Sequence, residues 1–182
     1  MRQIRIGAGA GYSGDRIEPA AELAERGRLD YLVFECLAER TIALAQQARR
    51  RDPHLGYDPL LAARMRAVLP ACRRGGTVII TNMGAANPVA AAELICSIAR
   101  ELGLTGLKVA AVTGDDVAAD VSDGACRILE DGRPVAALGA SLVSANAYLG
   151  AEPIMQALAA GADVVVTGRA ADPSLFLGPL AH

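Results

Sequence analysis

A transition from an apolar run to small and polar residues, and then to a helical pattern, recurs along this chain of 182 residues. Its first instance is Gln3–Arg16 (QIRIGAGAGYSGDR), where two isoleucines precede four glycines. Strand, turn and helix in this order are typical of an open α/β sheet, which binds ligands at the carboxyl ends of its strands. Further strands are predicted at Leu29–Phe34, Thr77–Ile80, Leu107–Val112 and Asp163–Val166.

Helical patterns fill the segments between these runs. The predicted helices start at Glu18-Pro19, follow Thr41 to about Arg51, and cover Pro59–Cys72, Pro88–Leu102 and a segment from Glu152 to Gly161. Asn87 before Pro88 has the pattern of a helix N-cap followed by a first-turn proline.

The segment after the fourth strand lacks the strand–turn–helix pattern of the rest of the chain. Ala125–Leu129 and Val135–Leu138 are apolar runs that flank Glu130–Arg133, and an Asp-Gly between such runs predicts a hairpin. The sequence as a whole predicts one domain over residues 1–182, a three-layer α/β sandwich with a mainly parallel sheet and a small β-hairpin insertion. Leu175–His182 starts an element without a stop signal, so we expect the chain to be part of a longer protein.

Composition excludes several classes of function. The net charge is −2 and the basic residues are scattered, so nucleic acid is not an expected partner. No apolar run reaches about 18 residues, so no membrane span is expected. Cys36, Cys72, Cys96 and Cys126 are far apart and predict free thiols rather than a zinc site or disulfides. We therefore expect a cytoplasmic protein.

Histidine is nearly absent. His54 and His182 are too few for a Ser-His-Asp triad or a histidine-rich metal site. Acid–base chemistry must therefore use carboxylates, tyrosines or the single lysine.

The glycine stretch permits three interpretations. Gly9-x-Gly11-x-x-Gly14, with Glu35 at the end of the next strand, matches a dinucleotide-binding fingerprint. Against this, Pro19 places the helix well after the last glycine, and Asp15 would set a negative charge beside phosphates. The other two interpretations are a loop that needs positive φ angles and an active-site loop for a different ligand.

Three carboxylates are candidate catalytic residues because each follows a predicted strand. Asp15 follows the glycine turn, with a surface ion pair to Arg16 as the alternative. Glu35 follows five apolar residues and would be a general base if it were buried. Asp115 is next to Asp116, which is a candidate ligand for a hard ion such as Mg²⁺; an ordinary helix N-cap is the alternative for this pair.

The candidate substrate-binding residues are Gly9, Gly11, Ser13, Asn82 and Arg169. Asn82 can donate a hydrogen bond to a carbonyl or carboxylate without adding charge. Arg169 has the fork geometry that suits carboxylate or phosphate, with an internal salt bridge to Asp172 as the alternative. Tyr148 is a further donor candidate, although a tyrosine whose hydroxyl is satisfied in the interior is the simpler interpretation.

Several strings in the chain together resemble the acyclic terpene utilisation family AtuA, in its N-terminal region. They occur in the family's order and span essentially the whole chain: GAGAGYSGDR (7–16), LDYLVFECLAERT (29–41), GYDPLL (56–61), TNMGAANP (81–88), GDDV (114–117), SANAYLGA (144–151) and GADVVVTGRAADPSLFL (161–177). The resemblance implies a bacterial cytoplasmic protein that takes part in the breakdown of branched terpenoids through CoA thioesters. It carries over no catalytic residue.

These observations predict an enzyme, or a component of one, that acts on an acyl-CoA or a branched carboxylic acid. Hydration, dehydration or carbon–carbon lysis suits carboxylates combined with an arginine and an asparagine, and the class would then be lyase or hydratase. The alternatives are a non-catalytic subunit that scaffolds a partner acyl-CoA enzyme, and a nucleotide-binding domain. The expected partners are the small-molecule substrate, the remainder of a longer chain, and further copies or an enzyme complex; the sequence names no cofactor.

Overall fold

The computed structural model describes residues 3–182 and places one parallel five-stranded sheet at the centre of that part of the chain. The strands are β1 (Ile6–Ala10), β2 (Tyr31–Phe34), β3 (Val78–Thr81), β4 (Val109–Val112) and β5 (Val164–Thr167), in the order β1-β2-β3-β5-β4. All neighbouring strands pair in parallel. The predicted α/β class and parallel sheet are confirmed.

The helices follow the predicted pattern closely. They are α1 (Glu18–Arg26), α2 (Glu39–Arg51), α3 (Leu61–Gly75), α4 (Pro88–Glu101), α5 (Ala118–Ser122), α6 (Glu152–Ala159) and α7 (Ser174–Ala181), together with a 3-10 helix at Val135–Ser141. The Asn87 side chain accepts a hydrogen bond from the Ala90 amide at 3.3 Å, so the predicted N-cap of α4 is confirmed. Within residues 3–182, no helix has the length and apolar character to cross a membrane.

Alternating side chains of the strands build two apolar cores, one on each face of the sheet. Leu32 and Phe34 share the first core with buried residues of α1, α3 and α4. Val33, between them, belongs to the second core with residues of α6 and α7. Successive residues of a strand point to opposite faces of a sheet. The division of Leu32, Val33 and Phe34 between the two cores therefore shows that the sheet is the middle of three layers.

The order of the strands in the sheet departs from their order in the chain between β3 and β5. An open α/β sheet is expected to bind its ligand at such a point. Here the two backbones come close together. A Cβ atom added to Gly84 would lie 2.5 Å from the Thr167 carbonyl oxygen. This crevice is therefore filled by main chain, and the open space lies beside it, above β1, β2 and β3.

The structure of the glycine stretch contradicts two of its three interpretations, the loop with positive φ angles and the dinucleotide-binding site. β1 runs through Gly9, whose missing side chain makes room for the Phe34 ring, since a Cβ there would lie 2.7 Å from that ring. Gly7, Gly9, Gly11 and Gly14 do not have positive φ angles, so the alternative of a loop that needs such angles was wrong. Helix α1 begins at Glu18, after the glycines have ended, and does not aim its N-terminus at them as a dinucleotide site requires.

The predicted hairpin insertion is only partly formed. The Asp131-Gly132 turn closes, and Arg127 and Pro134 form one isolated antiparallel bridge. The second apolar run, however, folds as the 3-10 helix rather than as a strand. Its turn-forming bonds are local, and no residue from 116 to 148 is buried, so no core face is present to hold a second strand in register.

Candidate functional site

Helix α2 packs on the loops that follow β2 and β3 and lines a cavity of about 310 Å³. A small apolar cluster that includes Leu37, Ile42 and Ala85 holds the helix in place. Most of the wall is apolar, and its polar groups are few: Ser13, Thr41, Tyr57, Asp58 and Asn82. An apolar cavity of this size with a few converging polar groups has the character of a small-molecule site.

A second cavity, of about 210 Å³, adjoins the first on the side of the glycine stretch. The two share Ser13, Cys36, Leu37 and Thr41 as lining residues. The smaller one is also lined by Gly11 and Glu35. The structure therefore brings together four of the predicted site residues, Gly11, Ser13, Glu35 and Asn82, around one continuous region that we call the cleft.

Asn82 joins the ends of β2 and β3 at the floor of the cleft. It is completely buried, and its Oδ1 accepts a hydrogen bond from the Cys36 amide at 2.7 Å. Its Nδ2 donates to Glu35 Oε1 at 2.9 Å. Glu35 also accepts from the Leu37 amide and is only partly buried, which differs from the buried general base that the sequence suggested.

Asp58, which the sequence analysis did not single out, lines the larger cavity together with Ser13. The Ser13 hydroxyl donates to Asp58 Oδ2 at 2.5 Å, and the Leu60 amide donates to Oδ1 at 2.8 Å. Burial raises the pKa of Asp58, while the bonds from Ser13 and Leu60 and the charge of Arg64 act in the opposite direction. A carboxyl group in this setting is suited to exchange protons.

Arg64 of α3 is a fully buried cation beneath the cleft. Its Nη2 donates to the carbonyl oxygens of Ser13 at 2.9 Å and Asp15 at 3.0 Å, and lies 3.4 Å from that of Tyr12. Its Nη1 contacts Cys36 Sγ at 3.2 Å and Asp58 Oδ1 at 3.5 Å, while its buried Nε has no partner in the described part of the chain. One side chain thus holds the glycine stretch and the Asp58 carboxylate together.

The Asp15 carboxylate accepts hydrogen bonds from the backbone of the turn in which it lies. It accepts hydrogen bonds from the Gly11 amide at 3.0 Å and from the Arg16 amide at 2.9 Å. These two backbone bonds hold the pKa of Asp15 below its ordinary value. The contact with Arg16 therefore involves the Arg16 backbone, in place of the surface ion pair that was the alternative.

Arg169 lies behind the cleft and not in its wall. The residue is buried, and its Nη1 donates to the Leu37 carbonyl at 2.8 Å. Its ion-pair partner is Glu39, at 3.9 Å, and not Asp172 as the alternative proposed. The guanidinium stacks on the ring of Tyr148 at 4.8 Å from the centroid, and the exposed Tyr148 hydroxyl donates to Glu39.

Asp115 and Asp116 lie after the end of β4, apart from the cleft. Asp115 is buried and accepts from Asn146 Nδ2 at 3.0 Å and from the Arg169 amide at 2.7 Å. Asp116 pairs with Arg49 at 3.4 Å, and its Oδ1 accepts from the Ala118 amide. The N-cap of α5 is Val117, without a side-chain cap bond, so the N-cap alternative for this pair was wrong. Residues 3–182 contain no group of three His, Cys, Asp or Glu side chains that could hold a metal ion, so Asp116 as a metal ligand stays a prediction.

Replacing Asp115 with asparagine is expected to stabilise the fold increasingly as pH rises. Burial raises the pKa of Asp115 above its model-compound value of 3.8, so the native state holds its proton where the unfolded chain has lost it. The stability that Asp115 contributes is therefore complete below pH 3.8 and is lost as pH rises through the raised pKa. Asparagine retains the acceptor for Asn146 and Arg169. Urea unfolding of both proteins across this range measures the difference, and a pH-independent difference would contradict the assignment.

A family model for "Acyclic terpene utilisation family protein AtuA" matches residues 4–182. The chain belongs to the AtuA family. The resemblance identified from the sequence strings is thereby confirmed over essentially the whole chain, and membership suggests a role in acyclic terpene utilisation. No curated protein and no solved structure matches the chain.

Asp58, Arg64 and Cys36 are site residues of this AtuA family member that sequence reasoning missed. One signal was available. Arg64 falls on the apolar stripe of α3, three residues after Leu61 and four before Val68, where a charge is expected only if it is paired. Asp58-Pro59, by contrast, has the ordinary pattern of a helix start, and nothing in it indicates a cavity.

Proposed function

We propose that this AtuA family member is a cytoplasmic bacterial enzyme of acyclic terpenoid breakdown that acts on an acyl-CoA or a branched carboxylic acid. Hydration, dehydration or carbon–carbon lysis is the proposed reaction class. The observation that carries the proposal is the shape of the cleft, whose long apolar wall ends in a short polar floor. We call it the acyl cleft from here on. Each buried CH₂ of a ligand contributes about 0.8 kcal/mol, so such a wall favours a hydrocarbon chain over a nucleotide.

Within this proposal the two cavities have separate tasks. The larger one takes the branched chain against residues such as Leu44, Ala45 and Met83. The smaller one takes the polar head beside the glycine stretch, with Asn82 and Glu35 in the floor between them. Arg169 supports Leu37 from behind, and its role toward an anionic substrate stays a prediction. The acid–base role of Asp115, which lies after the end of β4 and apart from the cleft, also stays a prediction.

The test measures ligand binding by the full chain. Thermal shift and calorimetry would compare branched acyl-CoA thioesters and branched carboxylic acids with free CoA, NAD, ATP and Mg²⁺. Leu44→Glu places a charge in the cavity wall, and Leu177→Glu on α7 is its matched control, because the two leucines are 51% and 53% exposed. We expect branched acyl ligands to bind and Leu44→Glu alone to weaken them about tenfold or more, which is about 1.4 kcal/mol. Binding of nucleotides or free CoA with no preference for the acyl chain would refute the proposal.

One observation favours the alternative of a subunit that scaffolds a partner acyl-CoA enzyme. The segment from Asp116 to Tyr148 contributes no buried residue, and Leu129 at the tip of its turn is 95% exposed. A single exposed leucine is ordinary on a protein surface, so Leu129 would mark an interaction surface only as part of a larger apolar patch. This alternative predicts that no acyl ligand binds to the chain and that Leu129→Glu releases a co-purifying protein.

A further inference from the structure

Ser13 and Asp58 form a hydrogen-bonded hydroxyl–carboxylate pair that lines the cleft, a position that a purely structural contact does not require. Asp58 sits in the wall of the larger cavity, and the Ser13 hydroxyl that bonds its Oδ2 lines both cavities. Asp58 Oδ1 is already occupied by the Leu60 amide and by Arg64. Within residues 3–182, Ser13 is the side chain that both bonds Asp58 Oδ2 and lines the two cavities.

We propose that Ser13 and Asp58 form the proton-transfer site of the acyl cleft, and that the group on which they act is a hydroxyl of the ligand or a water bound beside its polar head. The inference deepens the proposed function and rests on it. Neither residue's role follows from family membership. Asp58 is an addition to the catalytic candidates Asp15, Glu35 and Asp115, whose roles stay predictions.

The transfer balances within the pair. The O–H bond of the ligand or water breaks, and its proton passes to Ser13 Oγ while the original Ser13 proton passes to Asp58 Oδ2. The electron pair of the broken bond stays on the ligand or water oxygen, Ser13 ends neutral, and Asp58 ends protonated. When the product takes up a proton, the same two transfers run in reverse and restore the pair. No oxidant, metal or other reactant is needed for this step.

The surroundings of Asp58 suit this task. Arg64 from α3 is the cation that faces it, and the Cys36 thiol after β2 contacts the same guanidinium nitrogen. Burial raises the pKa of Cys36 to about 12, so this thiol stays neutral and does not compete for the proton. Asp15 and Glu35 are the other carboxylates near this group, and both are engaged by backbone amides.

Arg64 also fixes the position of the serine. Its Nη2 donates to the Ser13 carbonyl, so the same guanidinium holds both the backbone of the proton carrier and the carboxylate that it serves. Positioned proton transfer of this kind contributes typically 10²- to 10⁴-fold to a rate. The pair needs that geometry before any ligand arrives, and the buried arginine provides it.

The experiment separates binding from turnover in the full chain with a branched hydroxyacyl-CoA. Asp58→Asn and Ser13→Ala are compared with Ser13→Thr, which retains a hydroxyl, and with Asp163→Asn, a carboxylate at the opposite edge of the sheet. We expect Asp58→Asn to lower kcat about 100-fold or more while Kd for the non-hydroxylated analogue changes less than threefold. Ser13→Ala should lower kcat, with Ser13→Thr restoring part of the loss and Asp163→Asn causing none.

The pH profile supplies a readout that a structural role would not move. If Asp58 is the proton acceptor, kcat falls as pH drops through its pKa, and Ser13→Ala shifts that limb to higher pH because the Ser13 bond lowers this pKa. Turnover that is unaffected in both the Asp58 and Ser13 variants would overturn the inference and leave the proposed function standing. A wild-type chain that neither binds nor converts any acyl compound would overturn both. Circular dichroism of each variant excludes misfolding, and Ser13→Ala keeps the test decisive if Asp58→Asn does not fold.

Discussion

Replacing Arg64 with methionine is expected to lower the free energy of unfolding by about 3 to 5 kcal/mol, the range for removing one partner of a buried ion pair. Methionine fills a similar volume but leaves Asp58 as an uncompensated buried carboxylate. It also removes the donor from the Ser13 and Asp15 carbonyl oxygens, so the glycine stretch loses its attachment to α3. Chemical unfolding at neutral pH measures the change.

Arg66 is the matched control for this substitution. It lies two residues further along α3 and pairs with Glu101 at 2.6 Å, with both side chains about half exposed. Arg66→Met should cost less than about 1 kcal/mol, as surface ion pairs do. The double variant Arg64→Met/Asp58→Asn should recover part of the loss, because a neutral amide does not need the cation. Equal costs at positions 64 and 66 would show that the buried cluster does not organise this part of the molecule.

Replacing Asn82 with leucine is expected to destabilise the chain by about 2 to 4 kcal/mol, in keeping with the cost of an orphaned buried donor plus the bonds lost. The Cys36 amide would be buried without an acceptor, and Glu35 would lose the donor that holds it over the floor of the cleft. The loss should appear as a lower midpoint in urea with an unchanged m-value.

Glu35→Ala separates the two contributions of Asn82. It removes the partner of Asn82 Nδ2 but leaves the bond from the Cys36 amide to Oδ1 intact, and Glu35 is only partly buried. We expect a cost of about 1 kcal/mol or less, the net value of one ordinary hydrogen bond. If Glu35→Ala cost as much as Asn82→Leu, the carboxylate and not the Cys36 amide would be the main partner of Asn82.

Much of the sheet could be predicted because its signals are local. Val78–Thr81 and Val164–Thr167 differ from the predicted strands by a single residue at each end. The strand predicted in the second apolar run of the insertion was wrong for the opposite reason, because the run forms a 3-10 helix at Val135–Ser141. An apolar run becomes a strand only if one of its faces can pack against a core. Gly9 of β1 was assigned to a loop because the reason for a glycine there, the close approach of the Phe34 ring, lies on another strand.

The candidate site was predictable only in part. Gly11, Ser13, Glu35 and Asn82 were found because the carboxyl ends of parallel strands meet at one edge of a sheet, a rule that operates from sequence order alone. Asp115 and Arg169 obey the same rule, yet they lie behind or beyond the cleft, since the rule specifies the edge and not the position along it. That position depends on the order β1-β2-β3-β5-β4, which periodicity does not reveal.

The sequence by itself determined the α/β class, the parallel sheet, the cap of α4 and, through its longer strings, membership of the AtuA family. These depend on short-range spacing and on residue identity. The tertiary structure alone decided that Arg64 joins the glycine stretch to Asp58, and that Ser13 meets a carboxylate 45 positions away. The physical reason is that burial and pairing arise between segments: Asp58 becomes a buried, hydrogen-bonded acid only after the glycine stretch and α3 have packed around it.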